Sequence, residues 1–249
     1  KGLFEIVDHW LAISDFIRVK FIEAGIPAHK ITTLRHCVTS VPSPTGAQEG
    51  DYYLFLGRMV AEKGVLIVIE AWKQLESELG DACPKLVLAG EGPLEGESRY
   101  RAKSLKTVEC VGFVSGEKKE ILIRSCRALI APSIWWEPLG LTSYEAYTLG
   151  RPVIAARAGA LVETVTEGET GWLHEAGSAN DLARAVIAAE QAGTEQRAYL
   201  GAKGRAWLIQ NADPGEWRRR LLSTCGAVPG LTTLHSVQAG RTSSGSEVR

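Results

Sequence analysis

Two carboxylates, Glu137 and Glu145, stand eight positions apart in the run EPLGLTSYE, with Gly140 between them. A helix opening near Pro138, where proline's fixed φ suits a first helical position, spreads them roughly 12 Å along the axis at about 1.5 Å per residue. Free amides at such a helix start attract an anion, and a glycine there lets the anion approach the backbone closely. Two acceptors flanking an anion site suit a molecule with hydroxyls at both ends and phosphates in its middle, which is the layout of a nucleotide diphosphate sugar. Taken singly, Glu137 also reads as a carboxylate favoured by the helix dipole and Glu145 as part of a solvated helix face. A second set, Gly57, Arg58 and Lys63 in GRMVAEKG, lies between a strand pattern and a helix pattern. Lys63 at that helix start opposes the macrodipole by about 0.3 to 1 kcal/mol, and a bound diphosphate reverses the sign. Without such a ligand, both read as surface cations, with Glu62 offsetting Lys63.

The elements that must position these residues follow from apolar spacing. YYLFLG, KLVLAG, VECVGFV and the runs Leu129 to Ala131 and Val153 to Ala155 read as strands. Between them lie helical stripes: Val65, Val68, Ile69, Trp72, Leu75 and Leu79, a polar piece after Pro93, and Glu117 to Arg124. The helix after Glu137 is expected to run from Pro138 to Leu149, with Gly150 as a left-handed cap and Pro152 blocking continuation. Strands alternating with helices give a parallel sheet covered on both faces, an α/β Rossmann-like layout that binds ligands at the carboxyl ends of its strands. Upstream, HWLAIS is a strand, Ser14 and Asp15 offer helix caps, and Gly25 ends the helix. Downstream, GALVETVTEGETGWL gives a turn, a short helix and a strand, then helices run from Asn180, from Glu195 to Gln210 and from Asp213 to Thr224. GEGPLEG misses the dinucleotide fingerprint because Glu95 stands where its last glycine belongs. Its glycines read as a tight strand-to-helix turn. Trp135 and Trp136 either cover the ligand pocket or pack in a loop.

The remaining bounds come from composition. The chain has 249 residues, 45% hydrophobic and 23% charged, with a formal net charge of −1. Those values are ordinary for a globular protein and give electrostatics no reason to expect nucleic acid as a partner. Five scattered cysteines without a CxxC pair imply reduced thiols and no metal site. No apolar run is long enough to span a bilayer, and KGLFEIVDHW is not a signal peptide. Without an initiating Met, the sequence reads as a fragment beginning in mid-domain. The expected organisation is 1–38 as the end of one domain, 39–50 as a Pro/Ser/Gly-rich linker, 51–225 as the ligand-binding domain and 226–249 as a disordered tail.

EPLGLTSYE followed by AYTLGRPVIAARAGALVETVTEGETGWL, together with GRMVAEKG, resembles the retaining glycosyltransferases of family GT4, which have the GT-B fold. The resemblance covers roughly residues 10 to 225 and identifies 51–225 with the C-terminal donor-binding half and 1–38 with the end of the acceptor domain. It implies that Arg58 and Lys63 hold the donor diphosphate in place of a metal and that Glu137 contacts the donor sugar. The backbone at Gly140, Leu141 and Thr142 then faces the donor, Glu145 binds ribose hydroxyls, and Gly57, Gly112 and Phe113 complete the site, the last two against the nucleobase. The family's Asn-Gly-Val linker is replaced here by Arg35-His36-Cys37-Val38, which leaves His36 without an assigned role. The implied reaction moves a hexose from a UDP-, GDP- or ADP-sugar to an acceptor hydroxyl with retention, with no cofactor. The implied partners are a nucleotide sugar, an acceptor of unspecified chemistry (glycan, lipid or small molecule) and an upstream domain of the same enzyme. The expected location is the cytoplasm, with peripheral attachment to a membrane surface left open. A non-catalytic nucleotide-binding module and a GT-B sugar-nucleotide epimerase are the rival readings. As a fragment, the chain is expected to bind a nucleotide sugar and to transfer nothing by itself.

Overall fold

In a computed structural model describing residues 3–41 and 49–226, the seven stretches read as strands form strands, Ile31–Thr33 adds an eighth that no apolar run marked, and all pairings are parallel. A short helix α1 (Leu3–Ile6) precedes β1 (Trp10–Ala12), α2 (Asp15–Glu23) and β2 (Ile31–Thr33). β1 and β2 pair with each other around a small core of Ala12, Ile26 and Ile31. Ser14 caps α2, its hydroxyl accepting from the Ile17 amide at 3.1 Å.

The larger sheet holds β3 (Tyr52–Leu56), β4 (Lys85–Ala89), β5 (Val108–Gly112), β6 (Leu129–Ala131), β7 (Val153–Ala156) and β8 (Gly171–His174) in the order β5-β4-β3-β6-β7-β8. Its central strands β3, β6 and β7 are apolar throughout because both faces are covered, whereas β4 begins with the exposed Lys85 and β5 at the edge carries the exposed Glu109. Tyr53 and Phe55 point to the face packed by α3 (Val65–Leu79) and the first part of α8 (Ala179–Asn211). Leu54, one residue out of phase, joins the opposite layer with Tyr144 and Tyr147 of α6 (Leu141–Thr148). Three further helices complete the domain: α4 (Glu95–Ala102), α5 (Gly116–Ser125) and α7 (Leu161–Thr164). α9 (Pro214–Gly226) ends the described chain. Among the described residues no helix is long and apolar enough to cross a membrane.

From β3 the chain moves outward to β4 and β5, then returns to the other side of β3 for β6, β7 and β8. The order therefore reverses between β3 and β6, and open parallel sheets leave a crevice outside the strand ends at such a switch point.

Three expectations need correction. α6 begins at Leu141, not Pro138, because Gly140 has φ 82° and ψ 56°. A left-handed residue cannot continue a right-handed helix, and a Cβ at Gly140 would come 2.5 Å from the Leu161 Cδ2. Glu137 therefore sits in a loop, so the axial spacing of about 12 Å does not apply. The other end comes one residue early, at Thr148; Gly150 takes the expected left-handed turn at φ 70°. There the Gly150 amide donates to Tyr147 O and the Arg151 amide to Ala146 O, the paired bonds of a Schellman cap. Second, the helices from Asn180 and Glu195 are continuous but for a break at Gly193, whose φ is 75°; Ser178 provides the cap. Third, residues 49 and 50 are bound into the domain rather than free linker: Glu49 accepts from the buried Arg197, and the Gly50 amide donates to Ser125 O. Residues 42–48 of the expected linker and 227–249 of the expected tail lie outside the described residues.

Candidate functional site

The loops leaving the strands at the switch point are stitched backbone to backbone, and glycines permit it. A Cβ on Gly90 (φ 143°) would overlap the Gly57 carbonyl, and one on Gly64 (φ 72°) would overlap the Pro132 carbonyl. The Met59 amide donates to Glu91 O at 2.7 Å, the Gly90 amide to Gly112 O at 2.8 Å and the Ile134 amide to Glu62 O at 2.9 Å. Gly90 and Gly92 of GEGPLEG thus let the β4 loop lie against the β3 loop at Gly57 and Met59, a more specific job than a generic turn. The short turn Ala61–Lys63, next to the β6 loop, carries Lys63 to Glu137.

Lys63 Nζ donates to Glu137 Oε2 at 2.6 Å, and Ser133 Oγ donates to the same oxygen at 2.8 Å. Among the described residues no donor reaches Oε1. The Glu137 side chain is 9% exposed and that of Lys63 is 26%. Behind the carboxylate, the Glu137 carbonyl accepts from the Ala160 amide at 2.7 Å. Gly159 (φ 58°) lies so close that a Cβ would overlap the Glu137 backbone. On α6, Glu145 Oε1 accepts from Lys119 Nζ of α5 at 2.9 Å, with side-chain exposures of 38% and 32%. Arg58 is exposed and has no carboxylate partner among the described residues.

Two cavities meet at Gly57 and Thr142. The larger, about 340 Å³, is also lined by Arg58, Glu91, Phe113, Ser115, Lys119 and Glu145. The smaller, about 40 Å³, reaches Lys63, Ser133, Glu137 and Leu161. Seven of the residues singled out by sequence therefore line a cleft made of these two adjoining cavities: Gly57, Arg58, Lys63, Phe113, Glu137, Thr142 and Glu145. Three do not line it. Gly112 (φ 74°) anchors the neighbouring loop, Gly140 is buried against Leu161, and Leu141 is half exposed at the helix start. Nor do Trp135 and Trp136 line either cavity; the Trp136 ring meets Phe16 edge-on at 5.9 Å. Sequence reasoning missed Lys119, Ser115, Glu91 and Ser133. Lys119 carried the signal that singled out Lys63, a cation in the first turn of a helix where the dipole disfavours it.

The cleft offers cations beside carboxylates, with one carboxylate nearly buried and the other open to exchange with solvent or ligand. That is a layout for an anionic, polyhydroxylated ligand.

The model of the family "Glycosyl transferases group 1" matches residues 42–207. An uncharacterised glycosyltransferase of Methanocaldococcus jannaschii is 33% identical over 160 residues, 63% of this chain and 43% of that protein. The GDP-mannose-dependent alpha-(1-6)-phosphatidylinositol monomannoside mannosyltransferase of Mycolicibacterium smegmatis is 30% identical over 175 residues, 66% of this chain and 44% of the relative. The chain thus spans less than half the length of these two curated relatives. Among solved structures, Anabaena Alr3699/HepE in complex with UDP and glucose superposes with a TM-score of 0.75 at 23% identity, covering 88% of this chain and 63% of that one. The S. aureus protein TarM gives a TM-score of 0.76 at 19% identity over 88% of this chain and 44% of its own. The family model spans more than half of the chain, over the Rossmann-like parallel sheet and the helices on both its faces, and the chain belongs to the glycosyl transferases group 1 family.

Proposed function

We propose that residues 51–225 are the donor-binding half of a retaining, GT4-type hexosyltransferase that works without a metal, and that residues 1–38 belong to its acceptor side. The observation that carries this reading is the cleft formed by two adjoining cavities, with Lys63 and Glu137 in the smaller and Arg58, Phe113 and Glu145 in the larger. A nucleotide diphosphate sugar fits it in one direction. Glu137 Oε1, which no donor reaches among the described residues, accepts from the sugar hydroxyls, and the diphosphate lies across Gly57 and Thr142 between Lys63 and Arg58. Glu145 takes the ribose and Phe113 the base. As the glycosidic bond breaks, charge grows on the departing diphosphate, and fixed cations beside it stabilise that charge more than they stabilise the bound donor. The Mycolicibacterium relative is named for GDP-mannose and the Anabaena structure holds UDP and glucose. Those names support a nucleotide sugar as the ligand class and leave its base open.

A thermal-shift screen of the chain against UDP-, GDP- and ADP-sugars tests the reading, since a ligand that binds only the folded state raises the melting temperature. One nucleotide series is expected to raise it, unchanged by EDTA, and Glu145→Ala is expected to abolish most of the rise. Overturning outcomes are a flat response to all three series, or a response that needs added divalent metal.

A further inference from the structure

Residues 10–35 touch the sheet domain on both flanks of Glu137. On one side is α7, which follows directly on Gly159 and Ala160, the residues packed against and hydrogen-bonded to the Glu137 backbone. Glu163 of α7 reaches the start of α2, where its Oε1 accepts from the Phe16 amide at 2.6 Å and its Oε2 from the Asp15 amide at 3.1 Å. Arg35, just after β2, donates to Glu163 Oε2 and to Asp15 Oδ2, both at 2.7 Å. Thr33 also donates to Asp15 Oδ1 at 2.6 Å, and that bond foremost holds the Asp15 carboxyl below its usual range. On the other side is Trp136, the residue immediately before Glu137. Its ring meets Phe16 edge-on at 5.9 Å, and Lys20 Nζ sits 4.5 Å from its centroid.

We propose that Glu163 is a positioning residue for Glu137: by binding the start of α2 and Arg35 it clamps the Glu137 loop between α7 and Trp136. This rests on the reading of Glu137 as the residue that meets the donor sugar. Helix capping alone does not account for the contact, because Ser14, next to α2 in the chain, already serves the Ile17 amide. Glu163, 148 positions from Asp15, binds the two preceding amides, those of Asp15 and Phe16, and the Arg35 cation, with only 17% of its side chain exposed. A carboxylate bound by two amides and a guanidinium is among the stronger noncovalent ties. Phe16, one of the three residues it binds, is also the residue Trp136 packs on. Movement of the α2 start therefore reaches Glu137 by two routes, through α7 to its carbonyl and through Trp136 along the chain.

The test uses the 249-residue chain with Glu163→Ala, Glu163→Gln and Arg35→Ala. Hydrogen exchange is read at the Asp15, Phe16 and Ala160 amides. Calorimetric affinities are measured for UDP and UDP-glucose and for GDP and GDP-mannose. In Glu163→Ala, exchange is expected to quicken about tenfold or more at Asp15 and Phe16 and to quicken at Ala160 as well. The nucleotide sugar should lose about three- to tenfold in affinity while its nucleoside diphosphate holds steady. Glu163→Gln, which keeps one acceptor oxygen, should fall between parent and alanine. Faster exchange confined to Asp15 and Phe16, with the sugar increment intact, would reduce Glu163 to a helix cap and overturn the proposal. Should Glu163→Ala lose protection throughout β3 and β6, the glutamine and Arg35 variants decide by the same two readouts. If the parent chain binds no nucleotide, the functional reading falls, and the clamp stands or falls on Ala160 exchange.

Discussion

The cleft has a lysine–carboxylate pair at each end, and the two are built differently. Glu137 sits in a loop with its backbone boxed by Gly159 and Ala160, and one carboxylate oxygen takes both Lys63 and Ser133. Glu145 projects from the otherwise buried turn of α6 and takes Lys119 on one oxygen, with both side chains about one third exposed. The first pair is fixed by the fold: moving it means moving two loops. The second is held chiefly by its own ion pair, and exposed ion pairs contribute about 0 to 1 kcal/mol. Preorganisation is most useful where charge changes during a reaction, and exchangeable partners where a ligand must be bound and released. The contrast thus matches a reacting end and a handle end of one ligand.

The largest expected effect breaks the box around Glu137. Gly159 and Gly116 both adopt left-handed backbone, φ 58° and 54°, but a Cβ at Gly159 overlaps the Glu137 backbone, whereas at Gly116, near Lys119, nothing lies within 4 Å. Alanine at either costs about 1 to 2 kcal/mol for left-handed strain, and at Gly159 a further 1 to 3 kcal/mol, roughly, for overpacking. Urea unfolding of Gly159→Ala and Gly116→Ala measures the difference, and equal destabilisation would mean that the loop around Glu137 is not rigid.

Removing each cation separates the pairs next. Lys63→Met leaves a carboxylate that is 9% exposed with Ser133 as its remaining donor, and is expected to cost about 2 to 3 kcal/mol of stability. Lys119→Met should cost less than about 1 kcal/mol. The same unfolding measurement reads both.

Ligand binding sharpens the contrast further. Glu145→Ala is expected to weaken a nucleoside diphosphate by about 1.5 to 3 kcal/mol, the worth of hydrogen bonds to a charged group. Glu137→Ala should leave that affinity in place and remove the increment contributed by the sugar. Calorimetric titration with UDP and GDP, each with and without its sugar, distinguishes them. Equal losses in both variants for the bare diphosphate would dissolve the distinction between a reacting end and a handle.

Much of this was legible in the sequence because it rests on local patterns. The central strands read as continuous apolar runs, whereas Ile31–Thr33, with two threonines, carries no such run; Gly150 and Ser14 mark helix ends through backbone chemistry that needs no tertiary partner. Pro138 misled for a physical reason. Its fixed φ permits a helix start, but Gly140 packs on Leu161, and that contact, 21 positions away in the chain, moves the start to Leu141. The partners of the two carboxylates were illegible for the same reason. In sequence, Lys63 reads as a diphosphate-binding cation or, without a ligand, as one offset by Glu62, whereas the fold brings it to Glu137, 74 positions on, because β3 and β6 are neighbours at the switch point. Lys119 and Glu145 are 26 positions apart on two helices that no periodicity places side by side.

The smallest effect is also the cleanest test of the comparison, because it isolates each ion pair from its surroundings. Double-mutant cycles on Lys63 with Glu137 and on Lys119 with Glu145, methionine for lysine and glutamine for glutamate, yield two coupling energies. Salt discriminates between them: the screening length shrinks from about 10 Å at 0.1 M to about 3 Å at 1 M, and buried pairs feel this far less than exposed ones. The Lys119–Glu145 coupling, below about 1 kcal/mol at 0.1 M, is expected to fall toward zero at 1 M. The Lys63–Glu137 coupling should persist, since protein rather than solvent surrounds most of that carboxylate. Matching salt dependence at the two ends would mean that solvent reaches Glu137 as freely as Glu145. A nucleotide sugar would then find no difference between the ends of the cleft to orient it.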